Sequence, residues 1–442
     1  MEQKAKPETS LLVLLMAVAA LVLFLPLKAV SLFPDELTLL EKAEQLRTSG
    51  IATLFERPDS EFATNTYAYL ISVNLNVFNM SSVWAVRTPA AAIVWILTIA
   101  IYHFRGKKES RLNAFFAALL FLSSYSICSQ AYHARPIIIA TLFLIAALGA
   151  LYHWINNTYS RMNYTLVIAA AFATLFLGVL AQISIAIVGT LFMLIQNERK
   201  VSRYVKLYAL LIVSSLAATF SVAFIANNTE IGLHILGIGQ ITEPLLEYSR
   251  LNMLATQLIL SIFPWSIPVI IALIWLVIHP RKIRDRFLGL SLIKQFGVIL
   301  FILTLPIITA LNGLSMMAMV AAAYFNMPII SHFLTSQTHN HSVTWRITGS
   351  IFGVVVAGVT ILYIMAMAGI SFPFAGYTLQ TPRNWTFGKI ALIVAIVTSL
   401  YSLIRNHRTI QMNNRYLYNI VVIYTLAQLL YKAYINPYII TL

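Results

Sequence analysis

The chain has 442 residues, of which 59% are hydrophobic and only 10% charged, against about 25% charged in an ordinary soluble domain. That balance, with a mean hydropathy of +0.80, excludes a soluble globular protein, a disordered tail and a disulfide scaffold, and the single cysteine, Cys128, excludes an intrachain disulfide. The net charge of +15 does not point to nucleic acid, because the basic residues punctuate apolar segments and form no single patch.

Apolar runs long enough to cross a bilayer predict thirteen spans, at 11–33, 84–104, 112–129, 136–154, 164–181, 183–196, 205–226, 254–278, 290–311, 313–333, 347–370, 389–404 and 418–436. The fifth and sixth are expected to break near Leu180 to Ser184. Twenty of the thirty Lys and Arg residues fall in alternate loops, including Lys107, Lys108 and the run Arg281 to Arg286. The positive-inside rule then puts the N-terminus in the cytoplasm and the C-terminus outside. The expected fold is all-α and polytopic, with an N-terminal membrane module at 1–226 and a C-terminal one at 227–442. The outer loops are 34–83, 227–253 and 371–388; the chain ends six residues after the last span, so no soluble C-terminal domain is expected. No Walker loop, dinucleotide fingerprint or cysteine cluster appears, which argues against ATP-driven chemistry.

Acids are scarce and crowd into the first outer loop, which holds seven of fifteen: Asp35, Glu36, Glu41, Glu44, Glu56, Asp59 and Glu61. Leu37, Leu40, Ala43 and Leu46 recur at helical spacing after Pro34-Asp35-Glu36, which predicts an amphipathic surface helix. Asp35 reads either as its N-cap or as a catalytic carboxylate fixed by a helix start. A second surface helix is expected at 66–79, with Tyr67, Leu70, Ile71, Asn74 and Phe78 on one stripe. The aromatics Phe372, Phe374, Tyr377 and Trp385 of the last outer loop read as interfacial anchors, with sugar stacking as the alternative.

The order of these features carries a resemblance. A first span is followed at once by Asp35-Glu36, then by a tyrosine-rich helix (Thr66-Tyr67-Ala68-Tyr69-Leu70), by Arg87-Thr88-Pro89 opening the second span, and by Ser129 to Pro136 opening the fourth. This resembles the GT-C membrane glycosyltransferases, in particular the group of protein O-mannosyltransferases and lipid A aminoarabinose transferases. The resemblance implies a sugar donor carried on a polyprenyl phosphate, used at the outer face of the membrane with inversion at the anomeric carbon. It implies that Asp35 is the catalytic acid of the family's pattern. Glu56-Arg57-Pro58 is similar to an acid-basic-proline element near the donor phosphate, while Ile137 and Ile138 stand where some relatives carry an aspartate.

Physical chemistry asks for the same parts. Transfer to a hydroxyl needs a base, which Asp35 and Glu36 supply, and a leaving phosphate needs a cation. Arginine suits phosphate through its planar fork, and the outer candidates are Arg87, Arg135, Arg57, Arg250 and Arg383. Arg87 has a second reading, as the partner of a first-loop acid. No cofactor is required; a divalent metal stays open, with Glu56, Glu61, His133 and His234 as its weak ligand candidates. The expected protein is an integral protein of a bacterial inner membrane with its active site outside. Its partners are a polyprenyl-phosphate sugar donor, a lipid, glycan or protein acceptor and the membrane lipids, with no nucleic acid. Two other readings remain: a lipid-linked saccharide flippase or transporter, which should carry charges deep in its helices, and a polysaccharide polymerase or ligase.

Overall fold

The computed structural model describes residues 7–24, 27, 32–49, 62–106, 111–124, 127, 131–156, 161–196, 200–226, 295–296, 324, 372–374, 377–379 and 439–441. Up to Ala226 every described element is a helix: α1 (Pro7–Phe24), α2 (Pro34–Ser49), α3 (Phe62–Asn76), α4 (Ser82–Gly106), α5 (Arg111–Leu122), α6 (Ile137–Asn156), α7 (Arg161–Leu177), α8 (Val179–Ile195) and α9 (Val201–Ala226). Segments Ser82–Phe104, Ile138–Asn156 and Val201–Ser221 are long and apolar enough to cross a membrane, and Leu11–Phe24, Asn113–Leu122, Arg161–Leu177 and Ala181–Ile195 are shorter apolar helices. This is an integral membrane fold. Each of the first seven expected spans has a helix, whereas the later six lie outside the described residues, apart from Gln295, Phe296 and Tyr324.

Local chemistry sets the ends. The first helix stops at Phe24, not at 33 as hydropathy alone suggested; Pro26 follows two residues on, and a proline disfavours helical backbone at the residue before it. α5 stops at Leu122, short of the expected 129. There Ser123 and Ser124 both turn their hydroxyls back onto the Leu120 carbonyl, at 3.2 and 2.9 Å, satisfying a terminal carbonyl in place of a further helical turn. The break between α7 and α8 falls on Gly178, slightly ahead of the expected place. Its backbone (φ 61°, ψ −151°) is open to glycine alone.

The chain folds back there. Gln182 of α8 donates to Thr174 of α7, eight residues earlier, which a continuous helix cannot do. The same amide donates to Ser214 of α9 at 2.9 Å, so one buried glutamine ties three helices together, as polar side chains do between membrane helices. Elsewhere the Trp95 indole of α4 donates to the Met16 carbonyl of α1 at 3.2 Å. Phe143 of α6 stacks on Phe172 and Phe176 of α7 at 5.2 and 4.7 Å.

Three short strands form one antiparallel sheet. β1 (Phe372–Phe374) pairs with β2 (Tyr377–Leu379), Phe372 opposite Leu379, and β2 pairs with β3 (Ile439–Thr441), Tyr377 opposite Thr441. Part of the expected last outer loop and the segment Ile439–Thr441 are therefore joined in one sheet.

Close packing at Gly189 of α8 sets a test of the helix arrangement. A Cβ there would lie 2.8 Å from Leu207 Cδ2 and 3.2 Å from Leu151 Cδ1, while one at Gly149 of α6 would meet nothing within 4 Å. Gly189→Leu should overpack this junction and cost about 1–3 kcal/mol. Gly149→Ala should leave stability unchanged or raise it by up to about 1 kcal/mol. Thermal unfolding of the detergent-solubilised protein reads both; equal effects would place the α8 contacts elsewhere.

Candidate functional site

The start of α2 fixes the site. Pro34 occupies the first helical position, where a missing N–H costs nothing. Phe33 is the N-cap: its carbonyl accepts the Glu36 and Leu37 amides at 3.0 and 2.9 Å. Its own amide donates to Glu36 Oε2 at 3.0 Å, the half of a capping box that an N3 glutamate supplies. Asp35 is thus not the cap of its helix; Glu36 is the capping side chain.

This choice turns the helix. Glu36, Leu39 and Ala43 are buried, with Leu40 and Leu46 beside them, whereas Leu37, expected on the inner stripe, is exposed. The buried stripe starts one residue earlier because Glu36 has a partner inside. Arg87, one and a half turns into α4, meets it as a planar fork: Nε lies 3.0 Å from Oε1, and Nη2 lies 2.6 Å from Oε2. Nη1 donates to the Leu27 carbonyl beyond α1 at 2.8 Å, and the guanidinium lies 5.7 Å from the centre of the Phe33 ring, within cation–π range. Glu36 Oε1 also accepts the Ala134 amide at 3.0 Å. Both side chains are 3% exposed.

Burial alone would raise the Glu36 carboxyl. The hydrogen bonds from Arg87, Ala134 and Phe33, helped by the charge of Arg87, outweigh it and hold the group below its usual 4.5.

α3 supports Arg87 from behind. Pro89 stands inside α4, so the carbonyl of Ala85, four residues earlier, loses its helical donor. Asn74 of α3 donates to that carbonyl at 3.1 Å, and the Tyr67 hydroxyl donates to the next one, Val86, at 2.9 Å. Tyr67 is fully buried, and that burial pushes its hydroxyl far above the ordinary range, so it stays a neutral donor. The second loop helix therefore runs Phe62–Asn76, not 66–79; Tyr67 and Ile71 face inward, and Phe78 lies beyond the helix end and is exposed.

The fourth-span opening comes to the same point. The Tyr132 hydroxyl donates to the Val22 carbonyl of α1. His133 lies against the Phe33 ring, 4.8 Å between centroids. The Arg135 amide closes a tight turn onto the His133 carbonyl at 2.8 Å.

Two sequence candidates stand apart from the buried pair. Asp35 and Arg135 are exposed, and among the described residues no hydrogen bond or ion pair engages either side chain. They are chain neighbours of the two residues joined by the Glu36–Ala134 hydrogen bond, so a free carboxylate and a free guanidinium flank one contact. Arg57, Arg250, Arg383, Glu56, Glu61 and His234 lie outside the described residues. Among the described residues no three His, Cys, Asp or Glu side chains gather as metal ligands, and His133 instead packs on Phe33. The sequence reading missed Leu27 and Phe33. For Phe33 a signal existed, since an aromatic before proline with glutamate three residues on is a helix-start pattern.

A helical membrane fold with a carboxylate helix directly after the first span and an arginine early in the second is the arrangement that the motif order led one to expect. Solved structures agree. The chain superposes on ArnT from Cupriavidus metallidurans bound to undecaprenyl phosphate with a TM-score of 0.65 and 14% identity, over 96% of this chain and 78% of that one. The apo state of the same enzyme gives 0.64 and 15%, over 98% and 79%. The resemblance in motif order is thus borne out as a likeness of fold to ArnT. No family model matches the sequence, and no curated protein matches it.

Acid should act on the buried pair in one direction. A carboxyl held below its unfolded value stabilises the fold above that value, and the contribution is lost as the pH falls through the lower, folded value. The melting temperature of the wild type should therefore drop below about pH 4.5. Glu36→Gln should flatten that drop and, by leaving Arg87 buried without its counter-charge, cost about 3–5 kcal/mol at neutral pH. Melting curves between pH 3 and 8, a range set around the ordinary carboxyl value, check this; parallel curves would take the pair out of the stability balance.

Proposed function

We propose that this protein transfers a sugar from a polyprenyl-phosphate-linked donor to a hydroxyl acceptor at the outer face of the membrane, with inversion at the anomeric carbon. The observation that carries the reading is the pair Asp35 and Arg135, whose side chains have no hydrogen-bond or ion-pair partner among the described residues, flanking one hydrogen bond at the place where three helix starts and the end of the first span meet. The shared fold with an enzyme solved with undecaprenyl phosphate bound supports the choice of donor.

The chemistry follows from the separation of charges. Inverting displacement needs the base and the leaving group on opposite faces of the sugar carbon. Asp35 takes the acceptor proton as the hydroxyl oxygen attacks the anomeric carbon. The bond from that carbon to the phosphate oxygen breaks, its electron pair stays on the phosphate, and Arg135 stabilises the charge that develops. An ion pair between the two would silence both, and they form none. Arg57, Arg250 and Arg383 remain further phosphate ligands in this proposal. A divalent metal is not required by it. The sugar is a hexose or pentose, and the acceptor a lipid, glycan or protein hydroxyl.

Two substitutions divide the roles. Asp35→Asn should reduce transfer by roughly 10² or more, the usual worth of a general base, without weakening the binding of undecaprenyl phosphate. Arg135→Ala should weaken that binding by about tenfold, the lower end for a hydrogen bond to a charged group at an exposed site, and Arg135→Lys should restore it only in part. Purified protein titrated with undecaprenyl phosphate, and assayed with polyprenyl-linked sugars extracted from membranes, gives both readouts. Full transfer in Asp35→Asn and wild-type binding in Arg135→Ala would overturn the reading.

A further inference from the structure

The Glu36 carboxylate has no acceptor capacity left for a substrate, and Arg87, 3% exposed, uses three of its five N–H groups on Glu36 and Leu27. Oε1 of Glu36 accepts from Arg87 Nε and the Ala134 amide, and Oε2 accepts from Arg87 Nη2 and the Phe33 amide. Arg87 spends its third nitrogen on Leu27. To meet a donor phosphate, Arg87 would have to leave a buried carboxylate without its counter-charge, a step that buried pairs resist. Arg135 carries no such debt.

The partners belong to four separate pieces of chain: the segment after α1, the start of α2, the second turn of α4, and the turn before α6. They lie 51, 60 and 98 residues apart in sequence. A pair that only stabilised the fold could hold any of these. This one holds the two pieces that carry Asp35 and Arg135. Asp35 precedes Glu36 on the first turn of α2, and Arg135 follows Ala134 in a turn closed onto His133. Asn74 and Tyr67 pin the carbonyls of Ala85 and Val86 just before Arg87, so the arginine is itself held from α3.

We infer that Glu36 and Arg87 are positioning residues, a buried clamp that fixes the Asp35 carboxylate relative to the Arg135 guanidinium, and that neither touches the donor. The inference rests on the sugar-transfer reading above for what the spacing is used for. It rests on the geometry alone for the existence of the clamp. The clamp is directional as well as charged: two backbone amides point at Glu36, and one carbonyl faces Arg87. Exchanging the residues would set amides against a guanidinium and a carbonyl against a carboxylate.

The test compares Glu36→Gln/Arg87→Gln, which leaves no unpaired buried charge, and the exchange Glu36→Arg/Arg87→Glu with the parent. Spin labels at Thr38 and Pro136, in a Cys128→Ser background, report the distance between the two pieces by double electron–electron resonance. Titration with undecaprenyl phosphate reports the site. The parent should give one narrow distance. The double glutamine variant should broaden it and bind undecaprenyl phosphate about tenfold more weakly although Arg135 is intact. Arg135→Ala should weaken binding about tenfold with the narrow distance kept. The exchange should fail to restore either signal. A narrow distance and wild-type binding in the double glutamine variant would overturn the inference, as would full rescue by the exchange, which would make the pair a simple charge contact. If the parent itself does not bind undecaprenyl phosphate, the sugar-transfer reading falls. The distance then decides the clamp by itself: broadening upholds it and a narrow distribution overturns it.

Discussion

A carboxylate and a guanidinium buried together at the end of the first span, each 3% exposed, must satisfy each other, because burial takes away most of their contact with water. That requirement arranges the end of the described helices where α2, α4 and α6 begin. Glu36 can be buried only if its four acceptor positions find donors. The donors come from α4, from the N-cap of α2 and from the turn before α6. Once those are in place, the face that α2 turns inward, the entry of α4 and the docking of the fourth-span opening follow. Pro89 adds an orphan carbonyl to the same helix, and α3 is recruited to satisfy it.

The consequence for chemistry is a division of labour between neighbours. Asp35 and Glu36 are adjacent and alike, yet one is exposed with its carboxylate unengaged among the described residues and the other is buried and fully used. Arg87 and Arg135 divide in the same way. A reactive site needs groups that are both free and fixed, and freedom and fixation are hard to combine in one side chain. Asp35 adjoins Glu36 and Arg135 adjoins Ala134, whose amide donates to Glu36, so in the reading proposed above the free pair is fixed through that contact.

The sequence made the architecture legible and left the partition of the site open. Hydropathy placed a helix in each of the first seven expected spans, because lipid demands long apolar helices whatever the tertiary structure. It overshot the ends of α1 and α5, where a proline and two serines decide. The turn between α7 and α8 was legible to within a few residues, since both flanks are apolar and only Gly178 can take the backbone required. The inward face of α2 was misread by one residue: Leu37 was counted on the inner stripe, and Glu36 was read with Asp35 as a base. Burial of a glutamate depends on an arginine 51 residues away and an amide 98 residues away, and no local pattern encodes that. The reading of Arg87 as the partner of a first-loop acid was available from its place at a span mouth; which acid was not. At 14% identity over nearly the whole chain, the likeness to ArnT is one of helix order and shape.

The most direct measurement is a structure of the full chain with undecaprenyl phosphate bound, determined by electron cryo-microscopy in a lipid nanodisc. The phosphate should lie against the Arg135 guanidinium, within reach of a sugar carbon that Asp35 faces from the other side. Arg87 should remain on Glu36 and Leu27 as it is without the lipid. A phosphate held by Arg87, with Glu36 released from it, would contradict the assignment of the buried pair to positioning and of the free pair to chemistry.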